Sequence, residues 1–388
     1  ASGISLAPKT MLPVWGFVAT ALALANGDVL RDFQAIEVID PRFTDVVDVD
    51  ARLTQVAYID GARTEGPAWV WEIGALTFTS GNCPTEENWD DTYLVGNGGK
   101  DHPRPAEPLL RHSNHSNGQT IDFTGLGIYS CETTGRQVSL LQLDEQGRVK
   151  AYKSVIDSYK GTPLNSPNDV VVKSDGTVWF TDPSYGCIQF PDQHCHLPGD
   201  VYRFDAKTGD LTVVFSGLDK PNGLAFSLDE RQIYVADSGA MHADFDPSRP
   251  HAVYVFDVTG TGSGTALANQ RLFADITPGI PDGLKIDNTG NVYVAAGDGV
   301  QVFDPTGVLM GKIHTPPYPS KFAHLSPNYG QCSNLETGGD LGQPPFPHYR
   351  RHIFYLAAGP GLYSITLKSS GGDRPKAPGA ADRGGHTP

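Results

Sequence analysis

The sequence predicts an all-β protein folded as a six-bladed β-propeller. Short runs of apolar, β-branched and aromatic residues, each following a turn, recur six times along the 388 residues. The runs are ALTFTS, LGIYSC, TVWFTD, QIYVAD, NVYVAA and HIFYLAA, and one residue of each marks the repeat: Phe78, Tyr129, Phe180, Val235, Val294 and Tyr355. A regular period of about 50–60 residues with several strands per period is typical of a propeller or a solenoid.

A second strand follows the marker run in five of the units, as VSLLQLDEQG, VYRFDAKTG, VYVFDVTG, VQVFDPTG and LYSITL. These strands alternate apolar and polar residues, and most end in turns that contain Asp or Gly. Because four strands need roughly 40 residues, each period holds one blade and its loops. Closing six blades into a ring leaves only short, protected edges. A parallel β-helix would have much shorter repeats, and a β-sandwich would not show a sixfold period.

The two ends of the chain differ from the repeats and set the predicted domain limits. Residues 11–27, MLPVWGFVATALALANG, form an apolar run with a small-residue ALA end and resemble a secretory signal peptide. The alternative is an apolar strand or helix of the fold. Residues 1–27 are therefore predicted to be a leader, 28–368 the propeller, and the Gly-, Pro- and charge-rich 369–388 a disordered tail. Residues 316–350 are predicted to be a surface loop. The leader predicts a secreted protein, with a cytoplasmic location as the alternative.

Charge and cysteine content narrow the functional class. The formal net charge of −15 disfavours nucleic acid and anionic membranes as partners, and no obligate protein partner is evident. None of the five cysteines forms a CxxC pair, so a zinc or redox motif has no support. Cys187 and Cys195 bracket a short loop, where they form either a disulfide or two free thiols.

A polar side chain in a tight turn stands about twelve or thirteen residues before five of the six markers. The sixth unit offers a similar residue, displaced by the 316–350 stretch. These residues are Glu65, Asn117, Asn168, Asn222, Asp282 and Asn334, here called the ring residues. The same position in successive blades falls at the same radius and height, so the ring residues are expected to point at one spot in the central channel. Each of them alone is also explained as a turn former that bonds its own backbone.

The ring residues predict a metal site rather than a serine esterase. Two carboxylates and several amide carbonyls are hard oxygen ligands that suit Ca²⁺, whereas Zn²⁺ prefers His or Cys, and neither recurs in this phase. A cation with incomplete coordination would act as a Lewis acid on a substrate carbonyl. The chain contains no GxSxG elbow. His112, His115, His194 and His196 are interpreted as solvated loop residues, with a proton shuttle at the channel mouth as the alternative.

Four segments carry a family resemblance: TEGPAW, LNSPNDVVVKSDGTVWFTDPSYG, KPNGLAFSLDERQIYVADSG and IPDGLKIDNTGNVYVAAGDGVQVFDPTG. They resemble the gluconolactonase/regucalcin-like (SMP-30/gluconolactonase/LRE) family of calcium-dependent lactonases, from about Ile36 to Leu367. The resemblance implies a six-bladed propeller with a divalent metal in the channel, Ca²⁺ foremost, with Zn²⁺, Mg²⁺ or Mn²⁺ as alternatives. It places the metal ligands at Glu65, Asn168, Asn222 and Asp282.

The resemblance also implies roles and a reaction. Asp282 is the general base, and Asn117 faces the substrate. Asn334, the displaced residue of the sixth unit, is expected from the repeat to bind the substrate as well. The expected activity is a lactonase that opens a sugar-type or small hydroxy-acid lactone to the hydroxy acid, so the expected partner is a small molecule. Two alternatives stay open. One is a related metal-dependent aryl-ester or phosphotriester hydrolase, and the other is a non-catalytic calcium-binding propeller.

Overall fold

Six antiparallel sheets arranged around one axis confirm the predicted six-bladed propeller. The structure, a computed structural model, describes residues 29–60, 62–80, 90–96, 106–190, 192–242, 244–318, 326, 328–339 and 352–372. The fold forms because each repeat supplies short strands that are apolar on both faces, and such strands are stable only when a sheet packs on either side.

Strands are numbered along the chain, and each blade is listed from its innermost strand outward. Blade 1 contains β3 (Thr64–Val70), β4 (Ala75–Ser80), β5 (Asp91–Val95) and β6 (Glu107–Arg111). Blade 2 contains β7 (Ser116–Ile121), β8 (Gly127–Glu132), β9 (Gln137–Leu143) and β10 (Val149–Ile156). Blade 3 contains β13 (Val170–Val172), β14 (Val178–Asp182), β15 (Asp200–Asp205) and β16 (Asp210–Ser216).

The remaining blades follow the same order. Blade 4 contains β17 (Pro221–Phe226), β18 (Gln232–Asp237), β19 (Ala252–Thr259) and β20 (Ala266–Asp275). Blade 5 contains β21 (Leu284–Ile286), β22 (Val292–Ala296), β23 (Gly299–Phe303), β24 (Leu309–Ile313) and β1 (Ile36–Val38). Blade 6 contains β25 (Asn334–Gly338), β26 (Ile353–Ala358), β27 (Gly361–Thr366) and β2 (Thr54–Tyr58).

The two ends of the propeller domain meet in blades 5 and 6. Strand β2 pairs with β27 as the outermost strand of blade 6, so one blade is built from both ends of the chain. Strand β1 pairs with β24 and adds a fifth strand to blade 5. Opening the ring therefore requires breaking the backbone hydrogen bonds between β2 and β27.

The six marker residues all lie on the second strand of their blades, and they form the core between blades. Phe78, Phe180 and Val235 are fully buried. Aromatic rings stack within blades, with centroids of Phe78 and Tyr93 5.3 Å apart. Each buried aromatic side chain removes on the order of 150–250 Å² from water, which stabilises the contact between neighbouring sheets.

Shorter elements connect the blades. They are the helix α1 (Tyr185–Gln189), two 3-10 turns (Pro41–Asp45 and Gly262–Gly264) and the hairpin of β11 (Ser158–Tyr159) with β12 (Thr162–Pro163). Among the described residues, no helix has the length and apolar character needed to cross a membrane.

A disulfide joins Cys187 to Cys195, with 5.9 Å between their Cα atoms, which confirms the disulfide alternative. Cys131 and Cys332 are buried free thiols, and Cys83 lies outside the described residues.

Two segments differ from the simple prediction. Residues 334–338, inside the stretch predicted to be a surface loop, form the buried inner strand β25 of blade 6. The loop prediction was wrong for these residues because the Pro-rich composition of the whole stretch hid the signal of a strand of only five residues. In the predicted tail, Gly371 forms a β-bridge with Asp287, and Ser369 exchanges a hydrogen bond with Tyr293 over 3.0 Å. Residues 373–388 and the predicted leader, 1–27, lie outside the described residues.

Candidate active site

All six ring residues lie where the inner strands begin, at one end of the central channel. Glu65, Asn117, Asn222 and Asn334 belong to β3, β7, β17 and β25, and Asn168 and Asp282 stand two residues before β13 and β21. Each inner strand contacts the inner strands of the preceding and following blades, so the six strands form a closed circle. The six ring positions therefore share one end of the circle of inner strands, and the convergence of their side chains on one spot stays a prediction.

Close approach between neighbouring blades explains the glycine that follows several ring residues. A Cβ atom on Gly66 would lie 2.1 Å from the Asn117 carbonyl oxygen, and one on Gly223 would lie 2.2 Å from the Asp282 carbonyl oxygen. Only glycine leaves room for the backbone of the next blade at these positions. The glycines of the TEGP and PNG motifs thus bring ring residues together and are not explained by turns alone.

The two ring carboxylates lie beside one guanidinium. Glu65 is 1% exposed and Asp282 is 5% exposed. Arg63 Nη2 is 3.1 Å from Asp282 Oδ2 and 3.5 Å from Glu65 Oε1, and Arg63 Nε donates a hydrogen bond of 3.1 Å to Ser333 Oγ. Buried carboxylates are stable as anions only beside a positive charge, and the Arg63 guanidinium supplies that charge here.

Burial dominates the electrostatics of both acids. It raises the pKa of Asp282 to about 7, although the Arg63 guanidinium and the Asn222 side chain act in the opposite direction. It raises the pKa of Glu65 well above its usual range, the Asp282 charge adds to this, and Arg63 opposes it. Two carboxylates that resist ionisation become stable as anions when a cation sits between them.

The oxygen donors around this pair fit a hard divalent cation. Glu65 Oε2 and Asn168 Oδ1 are buried and accept no hydrogen bond from any described residue. Unpartnered buried oxygens are costly, and coordination to a metal would satisfy both. No group of three or more His, Cys, Asp or Glu side chains suited to a metal occurs among the described residues, so the set depends on amide oxygens. Such a set suits Ca²⁺ better than Zn²⁺.

Comparison with a true turn former separates the two explanations of the ring. Asp304 Oδ1 accepts hydrogen bonds from the backbone N–H groups of Thr306 (2.9 Å) and Val308 (3.1 Å), as a turn-forming Asp does. Asn334 resembles this case, since its Oδ1 accepts the N–H of Leu335 at 2.8 Å. Asn168 differs from a turn former, because its buried Oδ1 accepts no hydrogen bond from any described residue. Asn117, assigned to the substrate, is buried at 4% exposure, and its role stays a prediction.

Sequence reasoning missed several neighbours of the ring. Arg63 is the most important, and Tyr318 and Tyr185 also lie close enough to respond to the site's charges. Burial raises the pKa of Tyr318 to about 12, although Arg63 opposes this. Arg63 stands two residues before Glu65, and residues two apart lie on the same side of an extended chain. That spacing was the available signal.

A separate cavity opens at the other end of the inner strands. Its volume is about 380 Å³, and its lining includes Trp71, Phe123, Leu228 and Ile286 but none of the ring residues. Asp169, a buried residue next to Asn168 in the chain, has its pKa raised to about 6 by burial, while Lys285, which lines the cavity, acts to lower it. The carboxylate pair and this cavity are therefore different regions of the channel.

Fold and site together define a six-bladed propeller whose inner strands present carboxylate and amide oxygens to one region of the axis. Residues 64–331 match the SMP-30/Gluconolactonase/LRE-like region, and the chain belongs to this family. A gluconolactonase of Zymomonas mobilis is 29% identical over 326 residues, which cover 79% of this chain and 86% of that protein. Lactonohydrolase oryL of Aspergillus oryzae is 33% identical over 177 residues, 42% of this chain and 40% of that protein.

A solved structure supports the same assignment. A gluconolactonase from Xanthomonas campestris superposes with a TM-score of 0.66 at 27% sequence identity, and the match covers 89% of this chain and 99% of that chain. The two chains therefore share one fold over most of their lengths.

Proposed function

We propose that this lactonase opens a sugar-type or small hydroxy-acid lactone to its hydroxy acid and depends on a divalent cation, Ca²⁺ foremost. Relatives named gluconolactonase and lactonohydrolase support the reaction class. The observation that carries metal dependence is the buried Glu65–Asp282 pair with unpartnered oxygens on Glu65 and Asn168 beside it. Glu65, Asn168, Asn222 and Asp282 would hold the cation.

When bound, the cation supplies a Lewis acid that polarises the lactone carbonyl. The protein's own groups account for the proton transfers. Asp282, the ring carboxylate beside the position of the cation, accepts a proton from the attacking water. Water adds to the carbonyl carbon, the bond to the ring oxygen breaks, and the proton returns to that oxygen. Asn117 and Asn334 would orient the lactone through hydrogen bonds to its hydroxyl groups.

A lactone panel tests this proposal. The protein is assayed with glucono-1,5-lactone and smaller hydroxy-acid lactones, with and without EDTA, by following acid release with a pH indicator. We expect EDTA to abolish turnover and Ca²⁺ to restore it more fully than Mg²⁺, Mn²⁺ or Zn²⁺. Full activity in EDTA would disprove metal dependence.

The same panel separates the alternatives. Aryl esters and phosphotriesters are added as further substrates, and metal content is measured on the purified protein. Chelator-sensitive turnover of esters in the absence of lactone opening would favour the aryl-ester or phosphotriester hydrolase. Normal metal content without turnover of any ester would favour the non-catalytic calcium-binding propeller.

A further inference from the structure

A second circle of side chains lies two residues before the ring. Its members are Arg63, His115, Ser166, Lys220, Ile280 and Cys332. Residues two apart in an extended chain point to the same side and lie roughly 6.5 Å apart along it. Because the ring residues stand at the start of the inner strands, these six positions precede the strands at the ring end of the channel. Two members of this circle, Arg63 and Lys220, are basic side chains.

Among the described residues, the counter-charges of Arg63 are the two ring carboxylates. Its guanidinium approaches Asp282 at 3.1 Å and Glu65 at 3.5 Å, and its side chain is 28% exposed, so it is open to a ligand. If Glu65 and Asp282 hold a divalent cation, that cation neutralises both carboxylates. The guanidinium then lacks a counter-charge, which favours binding of an anion.

Lys220 has neutral partners in a more buried position. The residue is 2% exposed, its Nζ donates a hydrogen bond of 3.1 Å to Ser184 Oγ, and the same atom lies 5.9 Å from the ring centroid of Tyr185. Tyr185 in turn lies close enough to Asp282 to respond to its charge. Within the described part of the chain, no carboxylate oxygen lies within 4.0 Å of this ammonium.

Two acidic residues near Lys220 have other partners. Asp219 pairs with Arg249, and Asp237 accepts the backbone N–H of Lys220 at 2.8 Å. Neither forms an ion pair with the ammonium, which retains donor capacity beyond its bond to Ser184.

We propose that Arg63 and Lys220 recognise a carboxylate on the substrate, so that the preferred substrate class is an acidic sugar lactone. This inference rests on the proposed lactonase function. A neutral lactone brings only the single negative charge that develops on its carbonyl oxygen during the reaction. A lactone that also bears a carboxylate brings a second negative charge, which matches the two side-chain cations.

The test compares two lactones with the same ring, D-glucono-1,4-lactone and D-glucaro-1,4-lactone, which differ in a CH₂OH group and a carboxylate. With Ca²⁺ present, kcat/KM is expected to be about 10- to 100-fold higher for the glucarolactone, the range of one charge-assisted hydrogen bond. In Arg63→Gln and in Lys220→Gln this ratio falls toward one. Arg148→Gln, which removes an exposed surface arginine paired with Asp144, keeps the wild-type ratio.

Binding of the open-chain acids gives a second readout. Calorimetry with Ca²⁺-saturated protein is expected to show tighter binding of glucarate than of gluconate, and Arg63→Gln removes the difference. If Lys220→Gln does not fold, the partly exposed Arg63 still allows the test. A wild-type ratio at or below one, or a ratio that survives in Arg63→Gln, overturns the proposal. If no lactone is opened, the proposed function fails, and the comparison of glucarate with gluconate still decides carboxylate recognition.

Discussion

Replacing Asp282 by Asn removes one of the two ring carboxylates and the proposed base while keeping the shape of the side chain. We expect turnover to fall about 100-fold or more, because loss of a general base alone typically has that effect. We also expect weaker metal binding. The less obvious expectation is that the protein in EDTA becomes more stable, because in the wild type a buried carboxylate must ionise without a metal.

The size of this stabilisation follows from the pKa of Asp282. Burial raises it from 3.8 to about 7, and one pKa unit corresponds to about 1.4 kcal/mol. Because the folded pKa is raised, this carboxyl supports folding fully below pH 3.8 and loses that contribution as the pH rises through 7. At pH 8 its ionisation costs the folded protein on the order of 4 kcal/mol. In the variant, the Arg63 guanidinium still has Glu65 as a counter-charge. The loss of the ion pair with Asp282 therefore offsets little of this stabilisation.

Thermal unfolding in EDTA at pH 5 and pH 8 measures the effect. Wild-type Tm should fall between these values, and Asp282→Asn should raise Tm at pH 8. Asp304→Asn is the matched control. Burial acts to raise the pKa of Asp304, but hydrogen bonds from Thr306 and Val308 and the Arg42 side chain outweigh it and lower the pKa to about 2. A lowered pKa stabilises the fold at neutral pH, so this variant should melt earlier at pH 8 and keep its turnover.

A lower Tm for Asp282→Asn than for the wild type at pH 8 in EDTA would contradict the predicted stabilisation. The Arg63–Asp282 pair would then act mainly as a structural ion pair. Turnover above about a tenth of wild type would independently remove Asp282 from the role of base.

Three further predictions concern the ring, the disulfide and the leader. Asn168→Ala and Asn222→Ala should each weaken Ca²⁺ binding, measured by calorimetry, far more than they lower Tm in EDTA; early melting with normal Ca²⁺ binding would favour turn formers. Joint replacement of Cys187 and Cys195 by Ser should lower stability by roughly 2–3 kcal/mol in a denaturant titration, as expected from the loop-closure estimate, and an unchanged midpoint would contradict it. We propose that residues 11–25 direct secretion, and N-terminal sequencing of the natural protein should then find a start near residue 26; a chain that retains the segment would place the protein inside the cell.

The repeat made most of the fold predictable. Marker residues such as Phe78 and Val235 are buried on the second strand because each blade needs an apolar side chain there, and that need recurs at a fixed period. The strand pairing that closes the ring of blades was not predictable from the repeat. Strand β2 pairs with β27, about 300 residues further along the chain, and local periodicity contains no signal for so distant a pairing.

The ring residues were predictable for the same reason as the blades. Arg63, the charged side chain that contacts both ring carboxylates, was not. Glu65 and Asp282 occupy equivalent positions in their repeats, so aligning the repeats brings them together. Arg63 has no counterpart of the same kind in most blades, since the equivalent positions include Ser166, Ile280 and Cys332. A residue type that does not recur in the other blades leaves no periodic signal in the sequence, although it stands at the equivalent position.

The ring contains only two acids, and the electrostatic cost of burying charge explains why. Each further carboxylate at the ring would add an ionisation cost like that of Asp282 to the protein in EDTA. Each amide instead supplies an oxygen donor without charge. Two carboxylates are also the number that one divalent cation neutralises, so the ring gains its donors from Asn without a further electrostatic cost.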